Sequence, residues 1–135
     1  MKVSVVLVDN GEPSLANSLE SLANQSISTE IIVCGGPKTD YKLAEEYADR
    51  VLGPINCIRD ARIAGILEAK NDYIVSADSD TTYNHQYCEY AYEDLQHLPS
   101  VKAGTILPLK AEGLEGWIGL AESILSVGIP YEFSL

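Results

Sequence analysis

Short runs of apolar, β-branched residues alternate with amphipathic segments along most of the chain, and this alternation limits the folds that it can adopt. The runs are Val3–Val8, Ile31–Cys34, Arg50–Leu52, Tyr73–Ser76 and Val101–Leu107. A nearly all-apolar run of this length is typical of a strand that is buried on both faces of a sheet. Strands separated by helices imply right-handed crossovers. We therefore predict an α/β fold, with a mostly parallel sheet and helices on both faces.

Helical segments fill the intervals between these strands. Leu15, Leu19 and Leu22 recur at i, i+4 and i+7 and form one apolar stripe, and Ser14 is a candidate N-cap before them. The further predicted helices are Asp40–Ala48, Asn56–Ala69, Asn84–Leu98 and Glu112–Val127. There is no internal repeat, low-complexity tract or linker, so the sequence predicts a single domain over residues 1–135, with 112–127 as its C-terminal helix.

Composition and charge disfavour several classes of protein. The 135 residues are 46% hydrophobic and 21% charged, which is typical of a globular protein. Lys and Arg number 9 against 20 Asp and Glu, so the formal net charge of −11 disfavours binding to nucleic acid. No uninterrupted apolar run approaches the ~18 residues that cross a bilayer, and the first residues lack the pattern of a signal peptide. We expect a cytoplasmic protein without an integral membrane segment.

The cysteines also point to a reducing compartment. Cys34, Cys57 and Cys88 are odd in number and contain no C-x-x-C pair, which disfavours a disulfide framework and a structural zinc site. We expect mostly buried thiols.

Polar or flexible elements follow three of the predicted strands. They are Asp9, the Gly35-Gly36 turn and Asp78-Ser79-Asp80. Ligands of such sheets bind beyond the carboxyl ends of the strands, so we expect the three elements to meet at one rim.

Asp78 and Asp80 form the strongest candidate site. Side chains at i and i+2 of an extended backbone lie on the same side, and two neighbouring carboxylates need a cation or a donor to neutralise them. Carboxylate oxygens suit Mg²⁺ or Mn²⁺, whose coordination shell is commonly completed by phosphate oxygens. The pair therefore predicts a metal site for a diphosphate substrate. The alternative is a pair of solvated turn aspartates.

Other candidates have two interpretations each. Arg62 lies near the start of a predicted helix. It either holds a phosphate or the aspartate pair, or it is a surface arginine. For Arg59 we expect a surface arginine. Asp9 is a candidate to bind a base or ribose, or bonds only to local backbone. The Gly35-Gly36 turn allows close approach of a ligand, or is a plain tight turn.

Histidine and tyrosine side chains are weaker candidates. His85 either reaches the site or lies in a loop. We expect the tyrosines to be packing residues with solvated hydroxyls; they are Tyr83, Tyr87, Tyr90 and Tyr92. The sequence contains no P-loop, nucleophile elbow or G-x-G-x-x-G motif.

Motifs in the same order resemble those of glycosyltransferase family 2, whose members have the GT-A nucleotide-sugar-binding fold. Val3–Val6 resembles the opening strand of the family. Leu19–Gln25 resembles the helix end L-x-S-L-x-x-Q, and Glu30–Val33 the strand E-I-I-V that follows it. Ala61–Ile66 resembles A-R-N-x-G-I, and Lys70–Thr81 resembles G-D-Y-I-x-x-x-D-A-D-T.

The resemblance, which covers about Val3 to Pro108, implies an inverting transfer of a sugar from a nucleotide diphosphate sugar to an acceptor that the sequence leaves unknown. It implies that Asp80 holds Mn²⁺ or Mg²⁺, and that Asp78 lies beside it and contacts the ribose or sugar. The remaining implied donor-site residues are Arg62, which supports the pocket, and Val8 and Asp9, which stand where the base is touched. Gly35 is a further candidate for donor binding, because its turn allows close approach of a ligand.

Departures from the family pattern leave the nucleotide and the general base open. Gly35-Gly36-Pro37-Lys38 stands in place of D-D-G-S, and Ile63 replaces the asparagine of A-R-N. Family members continue past the point that corresponds to Leu135, with an acceptor half that carries a carboxylate base. The available carboxylates have no motif to support them; they are Glu112, Glu115 and Glu122.

The sequence is compatible with two other functions. One is a non-catalytic nucleotide-sugar-binding or assembly module, and the other is an unrelated doubly wound domain, flavodoxin-like or receiver-like, whose rim aspartates bind Mg²⁺. The apolar stripe of the C-terminal helix either docks on the sheet or forms a homo-oligomer interface.

Overall fold

Strands and helices alternate through residues 3–97, the part of the chain that the computed structural model describes. The strands are β1 (Val3–Asp9), β2 (Thr29–Gly35), β3 (Arg50–Leu52) and β4 (Tyr73–Asp78). The helices are α1 (Leu15–Ala23), α2 (Tyr41–Tyr47), α3 (Ile58–Glu68) and α4 (Tyr87–His97). None of these helices is long and apolar enough to cross a membrane.

The chain divides into two compact units, Met1–Glu93 and Asp94–Leu135, and nearly all of the described residues belong to the first. The predicted strand at Val101–Leu107 and helix at 112–127 lie outside the described residues. The single domain and the oligomer interface stay predictions.

The strands form a parallel sheet in the order β3-β2-β1-β4. β1 is central and every one of its residues is buried, as its nearly all-apolar pattern predicts. In the register, Asp9 lies opposite Gly35 and Val8 lies opposite Asp78. The carboxyl ends of three strands therefore meet at one rim, as predicted from the sequence.

Alternate residues of β1 face two different apolar cores. Val5 and Leu7 belong to a core that includes residues of α1, α2 and α4, and Val6 and Val8 belong to a second core that includes Ala61 of α3. Helices therefore cover both faces of the sheet, which confirms the predicted α/β fold class.

The sequence predicts the packing of α1 correctly but not its N-cap. The leucine stripe of this helix is buried against the sheet, as expected. Ser14 occupies the N-cap position, but its hydroxyl makes no capping bond. It donates instead to the backbone carbonyl of Ser79 at 2.9 Å. The predicted capping bond is therefore wrong: the Ser14 oxygen accepts from no N–H of the first turn, and its hydroxyl is directed to a tertiary acceptor.

The inward face of α3 consists of small residues. Ala61 and Gly65 are buried, whereas the larger Ile58 and Ile66 are 64% and 47% exposed. A Cβ added at Gly65 would overlap Val6 and lie 2.7 Å from the Cys34 sulfur. The helix thus lies so close to the sheet that only small residues fit between them.

The cysteines follow the expected pattern only in part. Cys34 and Cys88 are buried, and burial raises the pKa of these thiols to about 11 and about 12. Cys57, just before α3, is exposed.

Candidate functional site

The aspartates of the Asp78-Ser79-Asp80 segment are both exposed at the carboxyl end of β4. β4 extends to Asp78, two residues further than predicted, because its pairing with β1 continues as far as Val8. Ser79, between the aspartates, is only 3% exposed, while both of its neighbours face solvent. The alternation that the sequence predicts is therefore present, with both carboxylates on the solvent side of the rim.

Arg62 lies beside the first of these carboxylates. It projects from α3, and its guanidinium contacts Oδ1 of Asp78 at 2.5 Å and also donates to the hydroxyl of Ser76. Of the two interpretations of Arg62, the structure shows a contact with one member of the aspartate pair, Asp78. Arg59, by contrast, pairs with its neighbour Asp60, at 3.4 Å, and its side chain is 81% exposed.

The donor set at this rim suits a hard divalent cation. Oδ1 of Asp78 is bonded to Arg62, and Oδ1 of Asp80 accepts from the Thr81 hydroxyl at 3.1 Å. The second oxygen of each aspartate has no hydrogen bond or ion pair within residues 3–97. In the same range, no group of three or more His, Cys, Asp and Glu residues is placed to hold a metal. A cation held here would therefore take most of its ligands from water or from a bound phosphate.

Asp9 is buried at the end of β1, and its carboxylate is hydrogen-bonded to the local backbone. It is 2% exposed, and its two oxygens accept from the N–H groups of Gly11 (2.9 Å) and Glu12 (3.1 Å). Burial alone would raise its pKa, but these bonds, together with the side chains of Ser79 and Thr39, outweigh it and lower the pKa. Asp9 therefore holds the first rim loop as an ionised group, and a contact with a base or ribose stays a prediction, as it does for Val8.

The Gly35-Gly36 turn is packed against its own surroundings. The Gly36 N–H donates to the Asp9 carbonyl at 2.7 Å. A Cβ at Gly36 would overlap the Asn10 side chain, and one at Gly35 would lie 2.9 Å from the Tyr41 hydroxyl oxygen. These contacts explain the glycines without a ligand, and the role of Gly35 in donor binding stays a prediction.

Tyr83 is a residue of this rim that the sequence pattern missed. Its ring is 6% exposed, and its hydroxyl accepts from the Asp78 N–H at 2.7 Å and donates to the Asp78 carbonyl at 3.2 Å. Burial raises the pKa of this phenol far above its ordinary value, so the hydroxyl is neutral and can both donate and accept. The prediction of a solvated hydroxyl is wrong for Tyr83.

His85 points to another part of the molecule. It is exposed, and its Nδ1 contacts the backbone carbonyl of Asn24 just after α1. The structure therefore shows it as a loop histidine, one of the two interpretations that the sequence allowed.

Comparison with known families decides what kind of protein has this rim. The model of the Glycosyl transferase family 2 matches residues 4–119. The chain belongs to glycosyl transferase family 2. The resemblance seen in the sequence motifs is thus confirmed, and the four-stranded parallel sheet with its flanking helices is an α/β fold of the GT-A type.

A solved structure has the same fold. The crystal structure of S. aureus TarS matches with a TM-score of 0.63 and 21% sequence identity, over 87% of this family 2 chain. The match covers only 23% of the TarS chain, so this chain spans less than a quarter of that protein. A search of curated proteins finds no match.

Proposed function

We propose that this family 2 chain binds a nucleotide diphosphate sugar at the carboxyl rim of its sheet and transfers the sugar to an acceptor with inversion. Mn²⁺ or Mg²⁺ would be held by Asp80 and Asp78. The observation that carries the proposal is the exposure of both carboxylates at the rim, with the Arg62 guanidinium in contact with one of them. Family membership supports sugar transfer in general.

The charges at the rim support a requirement for a divalent cation. Asp78 and Asp80 bring two negative charges and Arg62 brings one positive charge, so the three groups together would repel a diphosphate. A divalent cation reverses the sign of that sum. When bound, it supplies Lewis-acid stabilisation of the departing diphosphate.

Arg62 has a further role in this proposal. Its guanidinium has five N–H donors, of which the contacts with Ser76 and Asp78 use two. The remaining donors allow it to hold a phosphate oxygen while it keeps Asp78 in place.

The other rim residues would lie on the nucleoside side of the donor. Val8, Asp9 and Gly35 are adjacent across β1 and β2 in the register. We propose that a base or ribose rests against the two loops that these residues begin, with Asp9 holding the first loop in shape through Gly11 and Glu12.

The alternative is a non-catalytic nucleotide-sugar-binding or assembly module. It is favoured by the Gly35-Gly36 turn, which stands where the family has acidic residues and where an added Cβ would meet neighbouring side chains. The carboxylates considered as general bases lie outside the described residues. The two functions differ in one outcome, since only a transferase releases a nucleoside diphosphate.

The test is a thermal-shift and calorimetric screen of UDP- and GDP-sugars with Mn²⁺ or Mg²⁺. We expect one donor to raise the melting temperature only with the metal, and Asp80→Asn to abolish that rise. Asp72→Asn, at the opposite end of β4, changes the net charge equally and should leave the rise intact. If no donor shifts the wild-type protein with either metal, the proposal is wrong. Binding without release of a nucleoside diphosphate, over long incubation with varied acceptors, would favour the alternative.

A further inference from the structure

A polar seam runs along α1 beside its apolar stripe. It consists of Ser14, Ser18, Ser21 and Gln25, which follow one another at i, i+4, i+7 and i+11 and therefore share one side of the helix. Each member bonds to the segment that follows β4. The bonds join Ser14 Oγ and Ser18 Oγ to the Ser79 carbonyl (2.9 and 2.8 Å), the Tyr83 N–H to Ser21 Oγ (3.0 Å), and Gln25 Nε2 to the Asn84 carbonyl (2.8 Å).

Tyr83 holds the same segment through its hydroxyl. It bridges the N–H and the carbonyl of Asp78, which are the two backbone polar groups of the last residue of β4. Its ring packs against that of Tyr87, with centroids 4.9 Å apart, so the phenol is held within the core.

These bonds act on consecutive peptide planes. The Asp78 N–H belongs to the peptide that enters Asp78, the Asp78 carbonyl to the one that leaves it, and the Ser79 carbonyl to the one that enters Asp80. Because a peptide unit is planar, a bond to its N–H or carbonyl restricts its rotation. The directions in which the Asp78 and Asp80 side chains leave the backbone are then set by Tyr83 and by the serines of α1.

The Ser79 carbonyl accepts two hydroxyl donors, one from Ser14 and one from Ser18, so both of its lone pairs are used. Two donors from one helix restrict the rotation of this peptide more than a single donor would. The two serines therefore act on the orientation of the peptide that enters Asp80.

We propose that Tyr83 and the pair Ser14 and Ser18 are positioning residues for the rim carboxylates: they orient Asp78 and Asp80 toward a shared divalent cation. This inference rests on the proposed function, because it concerns the same metal site. It assigns a role to three hydroxyl groups that touch neither the cation nor the donor.

The experiment measures Mn²⁺ binding by electron paramagnetic resonance in the presence of UDP and, separately, GDP. Tyr83→Phe removes only the hydroxyl and keeps the ring contact with Tyr87. We expect this variant, and Ser14→Ala with Ser18→Ala, to bind Mn²⁺ at least about tenfold more weakly. The combination Ser14→Thr with Ser18→Ala restores one hydroxyl donor at the partly exposed position, and it should recover most of the affinity.

The matched control is Tyr90→Phe, on the same helix as Tyr87. Tyr90 is 44% exposed, and its hydroxyl donates to the side chain of Gln86, just before that helix; within residues 3–97 it makes no hydrogen bond to Asp78 or Ser79. It should bind Mn²⁺ like the wild-type protein. For an active preparation, the positioning variants should lower kcat for the donor more than they raise KM, since the carboxylates are displaced rather than removed.

Three outcomes separate the inference from the function on which it rests. If the wild-type protein binds Mn²⁺ with a nucleoside diphosphate and the variants bind it equally, with lower melting temperatures only, the hydroxyls are merely structural and the inference is wrong. If the threonine combination recovers no affinity, hydroxyl donation to Ser79 is not the cause and the serine part is wrong. If the wild-type protein binds no Mn²⁺ with either nucleotide, the proposed function fails, and the inference fails with it.

Discussion

Glu30 is a fully buried carboxylate at the amino end of β2, opposite the candidate site. Its Oε2 accepts from the Ser4 hydroxyl (2.6 Å) and from the Lys70 N–H (2.9 Å), and Ser4 accepts in turn from Asn71. Burial alone would raise its pKa, but the bonds from Ser4 and Lys70 outweigh it and lower the pKa. Glu30 therefore joins β1, β2 and the turn before β4 as an ionised group, which explains the glutamate that opens the E-I-I-V motif.

Replacement of Glu30 should change how stability depends on pH. The folded-state pKa lies below the ordinary value of 4.5, so the stabilisation is fully present above about pH 4.5 and is lost as the pH falls through the folded-state pKa. In urea unfolding from about pH 7 to 3, we expect the loss of unfolding free energy to be shallower for Glu30→Gln than for the wild-type protein. Glu20→Gln, exposed on α1, should keep the wild-type slope. A wild-type slope in Glu30→Gln would contradict the prediction.

Arg62 should matter more for binding than for stability. Its side chain is 32% exposed and that of Asp78 is 58% exposed, so the ion pair contributes less than about 1 kcal/mol to folding. In calorimetric titrations we expect Arg62→Gln to weaken the binding of UDP or GDP with Mn²⁺ roughly tenfold, which is the loss of one charge-assisted contact. Arg59→Gln, on the same helix, should leave binding unchanged. Equal losses in both variants would indicate a general effect of helix charge.

Among the helices, α3 combines a close approach to the sheet with an apolar outer face. Small residues face β1 and β2, while exposed apolar side chains lie elsewhere on the helix; they are Ile58, Ile63, Ile66 and Leu67. The closeness of the approach, rather than hydrophobicity, decides which residues face inward.

Gly65→Ala should destabilise the protein, although Gly→Ala in a helix interior ordinarily stabilises it by up to about 1 kcal/mol. The added methyl group would overlap Val6 and crowd the Cys34 sulfur, and such overpacking costs about 1–3 kcal/mol. Urea denaturation measures the change. Leu67→Ala on the same helix removes a larger side chain that is 79% exposed, and it should change stability by less than about 0.5 kcal/mol. A stabilising Gly65→Ala would show that α3 lies further from the sheet.

For the whole molecule, the formal net charge of −11 sets the response to salts. Repulsion among like charges opposes the compact state, and it is screened as ionic strength rises. Nonspecific screening and specific cation binding both stabilise such a protein. Specific binding requires a particular carboxylate of the rim, whereas screening does not, so removal of one carboxylate distinguishes the two effects.

Magnesium should therefore stabilise the protein beyond its screening effect. We expect NaCl to raise the melting temperature of every variant, and MgCl₂ at the same ionic strength to raise it further in the wild-type protein and in Asp72→Asn. Asp80→Asn should show only the NaCl-like rise. Identical curves for the two salts in the wild-type protein would argue against a specific cation site in the absence of nucleotide.

Much of the fold follows from the sequence alone. The order of strands and helices and the meeting of Asp9, Gly35 and Asp78 at one rim depend on local periodicity and on the rule that parallel strands end at the same edge. The sequence also places Asp80 at this rim, because it lies two residues after Asp78. These features are predictable because each depends on neighbours in the chain.

The partners of the rim were decided by tertiary structure. The Ser14 hydroxyl donates to the Ser79 carbonyl, and Arg62 contacts Asp78 from another element. Tyr83 bridges the backbone of Asp78 with a hydroxyl that was expected to be solvated. Each of these contacts joins residues of different elements, so the choice of partner depends on distances between elements that no local pattern encodes. The sequence by itself therefore determined where the carboxylates stand, and only the packing of α1, α3 and the loop after β4 around them decided which groups hold them.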